Sequence, residues 1–443
     1  MRFSVSLRQT ECKKRSGIAP RNINKTNTMR VCVIGAGTAG LCCARHSIDN
    51  GFETTVFELS DRIGGTWVYN EATGVVNGID VHSSMYENLR TNLPKEVMGY
   101  PDFEIATNDM SYIRSDEICV FLNQYANHFD LKKHIRFNSY VIRVLRRNEK
   151  WQVLVKDVAS NKVAFHYFDK IMVANGHYHT PNYSQIPNMN RFKGEYLHSH
   201  DFRTRKVFEG KSVLVIGAGP SGMDLSNIIS RSAARVTISH HLTDIGENIF
   251  FENVQQKPDV LELDEQGAFF VDGSYEQFDT VFFCTGYKYS FPFLTVNSGI
   301  YVEDNYVQTL YKQCINIRNP SMALIGLPFY VCAAQMMDIQ ARFIMSYYNG
   351  SNKLPSTEEM LKDTQDKMAR IWEAGYKKRQ AHMLGPRQID YFTDLSKTAG
   401  VVNIKAVMTK LHNESSQCFN DNLLHFREDK FAIVDDETFV KLN

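Results

Sequence analysis

Two glycine-rich turns, each set between a short apolar strand and a helix-like run, predict an α/β chain with two dinucleotide-binding units. The first unit spans Met29–Trp67 and the second opens at Ser212, with alternating apolar and polar segments between them. No stretch reaches the roughly 18 consecutive apolar residues that a membrane-crossing helix needs. At 443 residues the chain has room for two or three domains and a large core.

Residues 1–28 carry Arg2, Arg8, Lys13, Lys14, Arg15, Arg21 and Lys25 against a single acid, Glu11. They lack the apolar run of a secretory signal. Their amphipathic pattern is poor for an organelle presequence, so they read as a disordered basic extension, with Met29 as an alternative start.

In the first unit Val31, Val33 and Ile34 make a short buried strand, and Gly35-Ala36-Gly37-Thr38-Ala39-Gly40 follows at once. A helix-like run, Leu41 to Asp49, leads to a second strand, Thr54 to Phe57, closed by Glu58. Gly35 permits the tight turn, Gly37 admits a pyrophosphate against the backbone, and Gly40 lets helix and strand pack closely. The phosphate charge sits on the free N–H groups and positive end of the helix. Glu58, 18 residues past Gly40, can accept from ribose hydroxyls. Paired glycines and an aromatic follow in Gly64-Gly65-Thr66-Trp67, where backbone and ring can pass close to a flavin. This unit reads as an FAD site.

Residues 74–109 have mixed polarity and read as an irregular excursion over the flavin. Ser115 to Phe129 has helical periodicity, with Asp116 and Glu117 in its first turn. Val141 to Lys156 and Lys162 to Phe168 alternate as antiparallel strands, and Lys170 to Gly176 ends a buried strand before a proline loop.

The second unit repeats the device: strand Ser212 to Ile216, turn Gly217-Ala218-Gly219-Pro220-Ser221-Gly222, helix from Met223, strand Arg235 to Ser239. That strand runs into His240 and His241, with no acid where an NAD site would carry one. A carboxylate there would repel a 2′-phosphate, so its absence favours NADP. Two such units together point to electron transfer from NADPH to FAD. Beyond them, Gln277 to Tyr287 is strand-like, Leu324 to Pro328 is a short strand, Gln335 to Tyr348 is a packing helix, and Thr357 to Glu373 is a charged helix with a solvated face.

The net charge of +1 implies no nucleic-acid partner. Nine cysteines without a CxxC pair argue against a disulfide scaffold and for a reducing, cytoplasmic setting, with peripheral membrane association left open. The histidine pairs His177/His179 and His198/His200 have no Cys or acid companion at metal spacing, so no metal site is expected.

With these units placed, Phe192-Lys-Gly194-Glu-Tyr-Leu-His198-Ser-His-Asp-Phe202 fits the FxGxxxHxxx(Y/F) signature, and the chain resembles the flavin-containing monooxygenases. GAGTAG, GGTW, LRTNLPKE, GAGPSGMD, CTGY and Leu384–Leu395 all occur in that family's order, so the resemblance runs from Met29 to the C-terminus. The soluble insect members are the nearest match, since the hydrophobic tail of many vertebrate members is missing. Phe202 stands where Baeyer–Villiger relatives usually carry Trp. Disulfide reductases need a redox CxxC, absent here.

The resemblance implies a discontinuous FAD domain (29–182 and 294–443) with an NADP domain inserted at 183–293. It implies a C4a-hydroperoxyflavin, made from NADPH and O2, that N- or S-oxygenates small amines or sulfides. A homodimer is compatible with it. It gives Asn92 the catalytic part, donating to the peroxide; taken alone, Asn92 reads as an Asx turn before Pro94. By the same match Thr66, Trp67 and Leu93 line FAD and Thr91 the NADP side. Ser221, Gly222, Met223 and Asp224 then serve the NADP phosphates and second helix, while His198 is structural. Where many relatives grip the 2′-phosphate with Arg, this chain has His241, a conditional charge in place of a permanent fork. The rivals are an NADPH oxidase releasing hydrogen peroxide, a Baeyer–Villiger-type monooxygenase, and a flavin-bound protein that senses redox state without turnover.

Overall fold

A computed structural model of the protein describes residues 28–106, 109–242, 246 and 249–442. The basic extension therefore lies, but for residue 28, outside the described residues.

Two parallel-centred sheets organise the chain. The first has seven strands in the order Leu310–Tyr311, Ile315–Asn316, Met322–Leu324, Lys170–Val173, Arg30–Ile34, Glu53–Phe57, Ile135–Arg136. Its five central and far strands pair in parallel, and the first two join antiparallel. The second has five parallel strands, Glu195–His198, Thr280–Phe283, Ser212–Ile216, Arg235–Ser239 and Val254–Lys257. Parallel strands are covered on both faces, which is why Val31–Val33 and Val213–Val215 read as continuous apolar runs and are fully buried. The chain returns to its first sheet at Leu310–Tyr311, after completing the second.

Helix α1 (Thr38–Asp49) begins inside the first glycine turn, three residues before the apolar run suggested. Helix α2 (Ser115–His128) starts where Glu117 accepts a hydrogen bond from the Arg114 N–H at 2.9 Å. Helix α3 (Pro220–Ser230) has proline at its first position, where a missing N–H does no harm. Helices α4 (Ala333–Tyr348) and α5 (Thr357–Glu373) lie where expected. Strand Met322–Leu324 ends where a strand was expected to begin, because Gly326 takes φ +81° and turns the chain away. Helices α6 (Gln388–Ala399) and α7 (Ala406–Asp421) were not anticipated; the α7 sequence carries apolar Val407, Leu411 and Phe419 among mostly polar residues and no side-chain cap.

Candidate active site

The parallel register Ile34↔Phe57 sets Glu58 beside the first glycine turn. Gly35 (φ +104°) donates to the Phe57 carbonyl at 2.8 Å, and a Cβ there would stand 2.5 Å from the Ala174 carbonyl. Gly40 packs so tightly that a Cβ would lie 1.8 Å from the Gly35 oxygen. Glu58 is buried, accepts from the Ala36 N–H at 2.6 Å, and accepts from Ser60 N–H and hydroxyl at 2.8 Å. The acid thus braces the turn itself, a task the spacing did not suggest, and two carboxylate oxygens still have lone pairs for a ribose.

The first intrahelical bond of α1, Leu41 N–H to Gly37 O, leaves the N–H groups of Thr38, Ala39 and Gly40 as donors for phosphate. Opposite Gly37 stands Gly65: a Cβ on Gly37 would come 3.3 Å from the Gly65 Cα. Gly64 (φ +143°) and Gly65 (φ +57°) fold Gly65–Trp67 into a single 3₁₀ turn, held by Cys119 Sγ donating to the Trp67 carbonyl at 3.2 Å. The Thr66 hydroxyl is buried without a partner among the described residues. A glycine-walled cradle with one orphaned hydroxyl and a braced acid suits FAD.

The second turn is built alike at two glycines. Gly217 takes φ +97°, and a Cβ on Gly222 would again lie 1.8 Å from the first glycine's oxygen. At Gly219, however, a Cβ would meet nothing within 4 Å. Ser221 is exposed on the first turn of α3, while Met223 is packed in the core. Asp224 was expected at the nucleotide; instead both its oxygens accept from Arg427, at 2.7 Å each. Its charge is taken up, and a carboxylate would in any case repel phosphate. His241 is exposed and sits 3.4 Å from Asp259. An acid absent from the strand end is therefore supplied in space by the segment after Val254–Lys257, which weakens the argument for NADP drawn from Ser239–His241.

The Asn92 loop is pinned to the chain ahead of α2. Thr91 donates its N–H to the Ile113 carbonyl at 2.8 Å, and its hydroxyl accepts from the Ile113 N–H at 3.2 Å. Thr91 is 1% exposed, and its side chain secures the loop. Asn92 itself is exposed, with no hydrogen bond among the described residues, and Leu93 is half-buried against the core. An Asx turn would need an N–H two residues on, and Pro94 has none. The turn reading fails on that ground.

His198 is fully buried; its Nδ1 accepts from the His200 N–H at 3.0 Å, and burial pushes the imidazole pKa down to about 4. Phe202 is buried against Tyr86, Phe208 and Phe282, so it is a packing residue. Arg203, unmarked in the sequence, donates to the carbonyls of Asn70, Ala72, Ser83, His200 and Phe202 and so stitches the excursion to the signature segment. Arg427 was missed as well. Among the described residues no group of three His, Cys, Asp or Glu could hold a metal, and no helix is long and apolar enough to cross a membrane.

A flavin cradle and a second glycine turn, each on a parallel sheet, define a flavoprotein oxidoreductase. Residues 28–245 and 241–415 match the Flavin-binding monooxygenase-like family, and the chain belongs to it. It is 35% identical over 424 residues to senecionine N-oxygenase of Tyria jacobaeae, covering 94% of this chain and 92% of that one. It is 33% identical over 403 residues to the flavin-containing monooxygenase FMO GS-OX5 of Arabidopsis thaliana, covering 85% and 86%. The fold superposes on S-allyl-L-cysteine S-oxygenase from Allium sativum with a TM-score of 0.86 at 29% identity, over 91% and 96% of the two chains. The protein is a flavin-dependent monooxygenase.

Proposed function

We propose that the enzyme uses NADPH and O2 to oxygenate nitrogen or sulfur in small soft nucleophiles, amines or sulfides. The observation that carries this is Asn92: an exposed, unpartnered amide on a loop fastened through Arg427 to the helix that opens the second nucleotide turn. Bound FAD, reduced by NADPH, supplies the electrons and activates O2. The chain's own residues do the rest. Gly35–Gly40 and Glu58 hold the FAD pyrophosphate and ribose, with Gly65, Thr66, Trp67 and Leu93 along the flavin. Gly217, Gly219 and the free N–H groups of Ser221 and Gly222 receive the nicotinamide nucleotide's phosphates, and His241 is placed for the 2′-phosphate. Asn92 donates a hydrogen bond to the activated oxygen and keeps it aligned for attack by substrate. No acid–base pair or nucleophile is needed, in keeping with the buried His198, whose pKa burial pushes down to about 4.

We assign the FAD domain to 29–182 and 294–443 and the NADP domain to 183–293. The whole five-stranded sheet falls inside the latter range, which supports the division. Cytoplasmic residence is supported by the eight described cysteines, all unpaired. The test is the yield of N-oxide or S-oxide per NADPH consumed with a tertiary amine or a thioether. Product near one per NADPH is expected; hydrogen peroxide alone would make the protein an oxidase.

A further inference from the structure

The segment after α7 does more than close the chain. It makes one 3₁₀ turn, Phe426–Glu428, whose Phe426 is fully buried, edge-on to Tyr112 at 5.1 Å and to Phe419 at 5.0 Å. That turn aims Arg427 at two elements far away in sequence. Its Nη1 and Nη2 donate to the two oxygens of Asp224 on α3 at 2.7 Å each, with side-chain exposures of 18% and 12%. Its Nε donates to the Thr91 carbonyl at 3.1 Å and its Nη2 to the Arg90 carbonyl at 3.3 Å. Arg90 answers by donating to the Arg427 carbonyl at 3.1 Å and to the Tyr112 carbonyl at 2.9 Å. Tyr86, packed at a tilt against Phe202, donates its hydroxyl to Asp224 at 3.4 Å.

The two carbonyls Arg427 takes are those of the residues just before Asn92, and the carboxylate it takes lies two residues past the last glycine of the second turn. A guanidinium fork can serve a carboxylate and two carbonyls together, because its five N–H donors leave a plane in fixed directions; an ammonium is one point of charge on a flexible stem. Arg427 also lies beyond residue 415, where the family match ends.

We propose that Arg427 is a positioning residue for Asn92: with Asp224 it locks the Asn92 loop to α3, so the amide and the nicotinamide nucleotide stay in register. This rests on the role given to Asn92 above. A 1 Å drift of a positioned group can lower a rate by on the order of a hundredfold, so even a loosened clamp should show.

The holoenzyme is compared in three variants, Arg427→Met, Arg427→Lys and Asp224→Asn, by FAD content, NADPH consumption, peroxide and product. Arg427→Met should keep FAD and continue to consume NADPH, while product per NADPH falls about tenfold or more and peroxide rises to match. Arg427→Lys should recover part of the coupling, since it meets Asp224 but not both carbonyls. An FAD-replete Arg427→Met enzyme with wild-type product per NADPH overturns the proposal. If that variant loses FAD, the near-isosteric Asp224→Asn decides instead: lowered coupling supports the clamp and unchanged coupling overturns it. Asn92→Ala separates the two readings. Should Asn92→Ala stay coupled, the role of Asn92 fails; should it uncouple while the Arg427 and Asp224 variants do not, only the clamp fails.

Discussion

The two glycine turns share one folding device and differ in what faces their middle glycine. In both, the third glycine packs so that a Cβ would lie 1.8 Å from the first glycine's oxygen, which is how helix and strand come together. Opposite Gly37 stands the Gly65 backbone, and Glu58 braces the turn from the strand end. Opposite Gly219 no described residue comes within 4 Å, and the corresponding strand runs into half-buried His240 and exposed His241. The first turn is walled on its far side and already held in shape, as suits a resident cofactor. The second is open on that side, as suits a nucleotide that comes and goes with each cycle. The close packing at the third glycine is common to both turns, and the surroundings of the second glycine are where they differ.

The strongest break of this comparison is at the second glycine itself. Gly37→Val should give folded but colourless protein, because the branched side chain would press on the Gly64–Gly65 backbone and deform the wall of the cradle. Gly219→Val should keep stoichiometric FAD and raise the NADPH KM, since its Cβ meets nothing within 4 Å among the described residues. Flavin absorbance per chain checks both. Retention of FAD in folded Gly37→Val, or its loss from Gly219→Val, would dissolve the distinction.

Next in size is Asn92→Ala. Loss of one donor to a developing oxyanion lowers the rate by about 3 kcal/mol, roughly a hundredfold or more. The variant should still reduce its flavin with NADPH but give peroxide in place of product. Coupled turnover at near wild-type speed would remove Asn92 from the chemistry.

Two buried imidazoles, His198 at the end of a strand of the second sheet and His382 beside Val307, make stability depend on pH. Burial, with His200 beside it, holds His198 down to about 4, and burial, with His177 beside it, holds His382 down to about 3. His382 receives the Val307 N–H at 3.1 Å and must stay neutral to do so. Both folded pKa values lie below the unfolded reference of about 6.5, so between the two the unfolded chain binds more protons. Stability is complete above about pH 6.5 and falls as pH drops from there toward 3 to 4, by roughly 2 kcal/mol per histidine at about pH 5. Urea midpoints at the two pH values measure it, and His198→Gln should flatten part of the slope. A midpoint indifferent to this acidification would show that these rings are charged in the fold.

What was legible in the sequence is what is local. Both turns, their flanking strands, Glu58 and most helices follow from spacing within some thirty residues, because hydrogen-bond geometry and side-chain period act at that range. Partners brought together by topology left no such trace. Arg427 and Asp224 are 203 residues apart, His241 and Asp259 are 18 apart across a strand crossover, and Arg203 reaches carbonyls more than a hundred residues upstream. Thr91 and Asp224 show the same limit: their motif positions are visible in the sequence and their buried partners, Ile113 and Arg427, are not.

The smallest effect concerns the open end of the second turn. His241 and Asp259 are 71% and 53% exposed at 3.4 Å, so water and salt screen whatever either does. An incoming 2′-phosphate must compete with Asp259 for His241 and bear the carboxylate's repulsion, neither of which NADH meets. Asp259→Asn should therefore raise the preference for NADPH over NADH by about two- to fivefold, the scale of one exposed charge pair. His241→Arg should act in the same direction, because a fork can hold phosphate and carboxylate together where one imidazole cannot. Both gains should shrink between about 0.05 M and 0.5 M salt, where the screening length falls well below 10 Å. The measurement is the ratio of kcat/KM for the two nucleotides in each protein at both salt levels. If neither substitution moves that ratio, the 2′-phosphate is held by some other basic group, and the exposed end of the strand has no part in choosing the nucleotide.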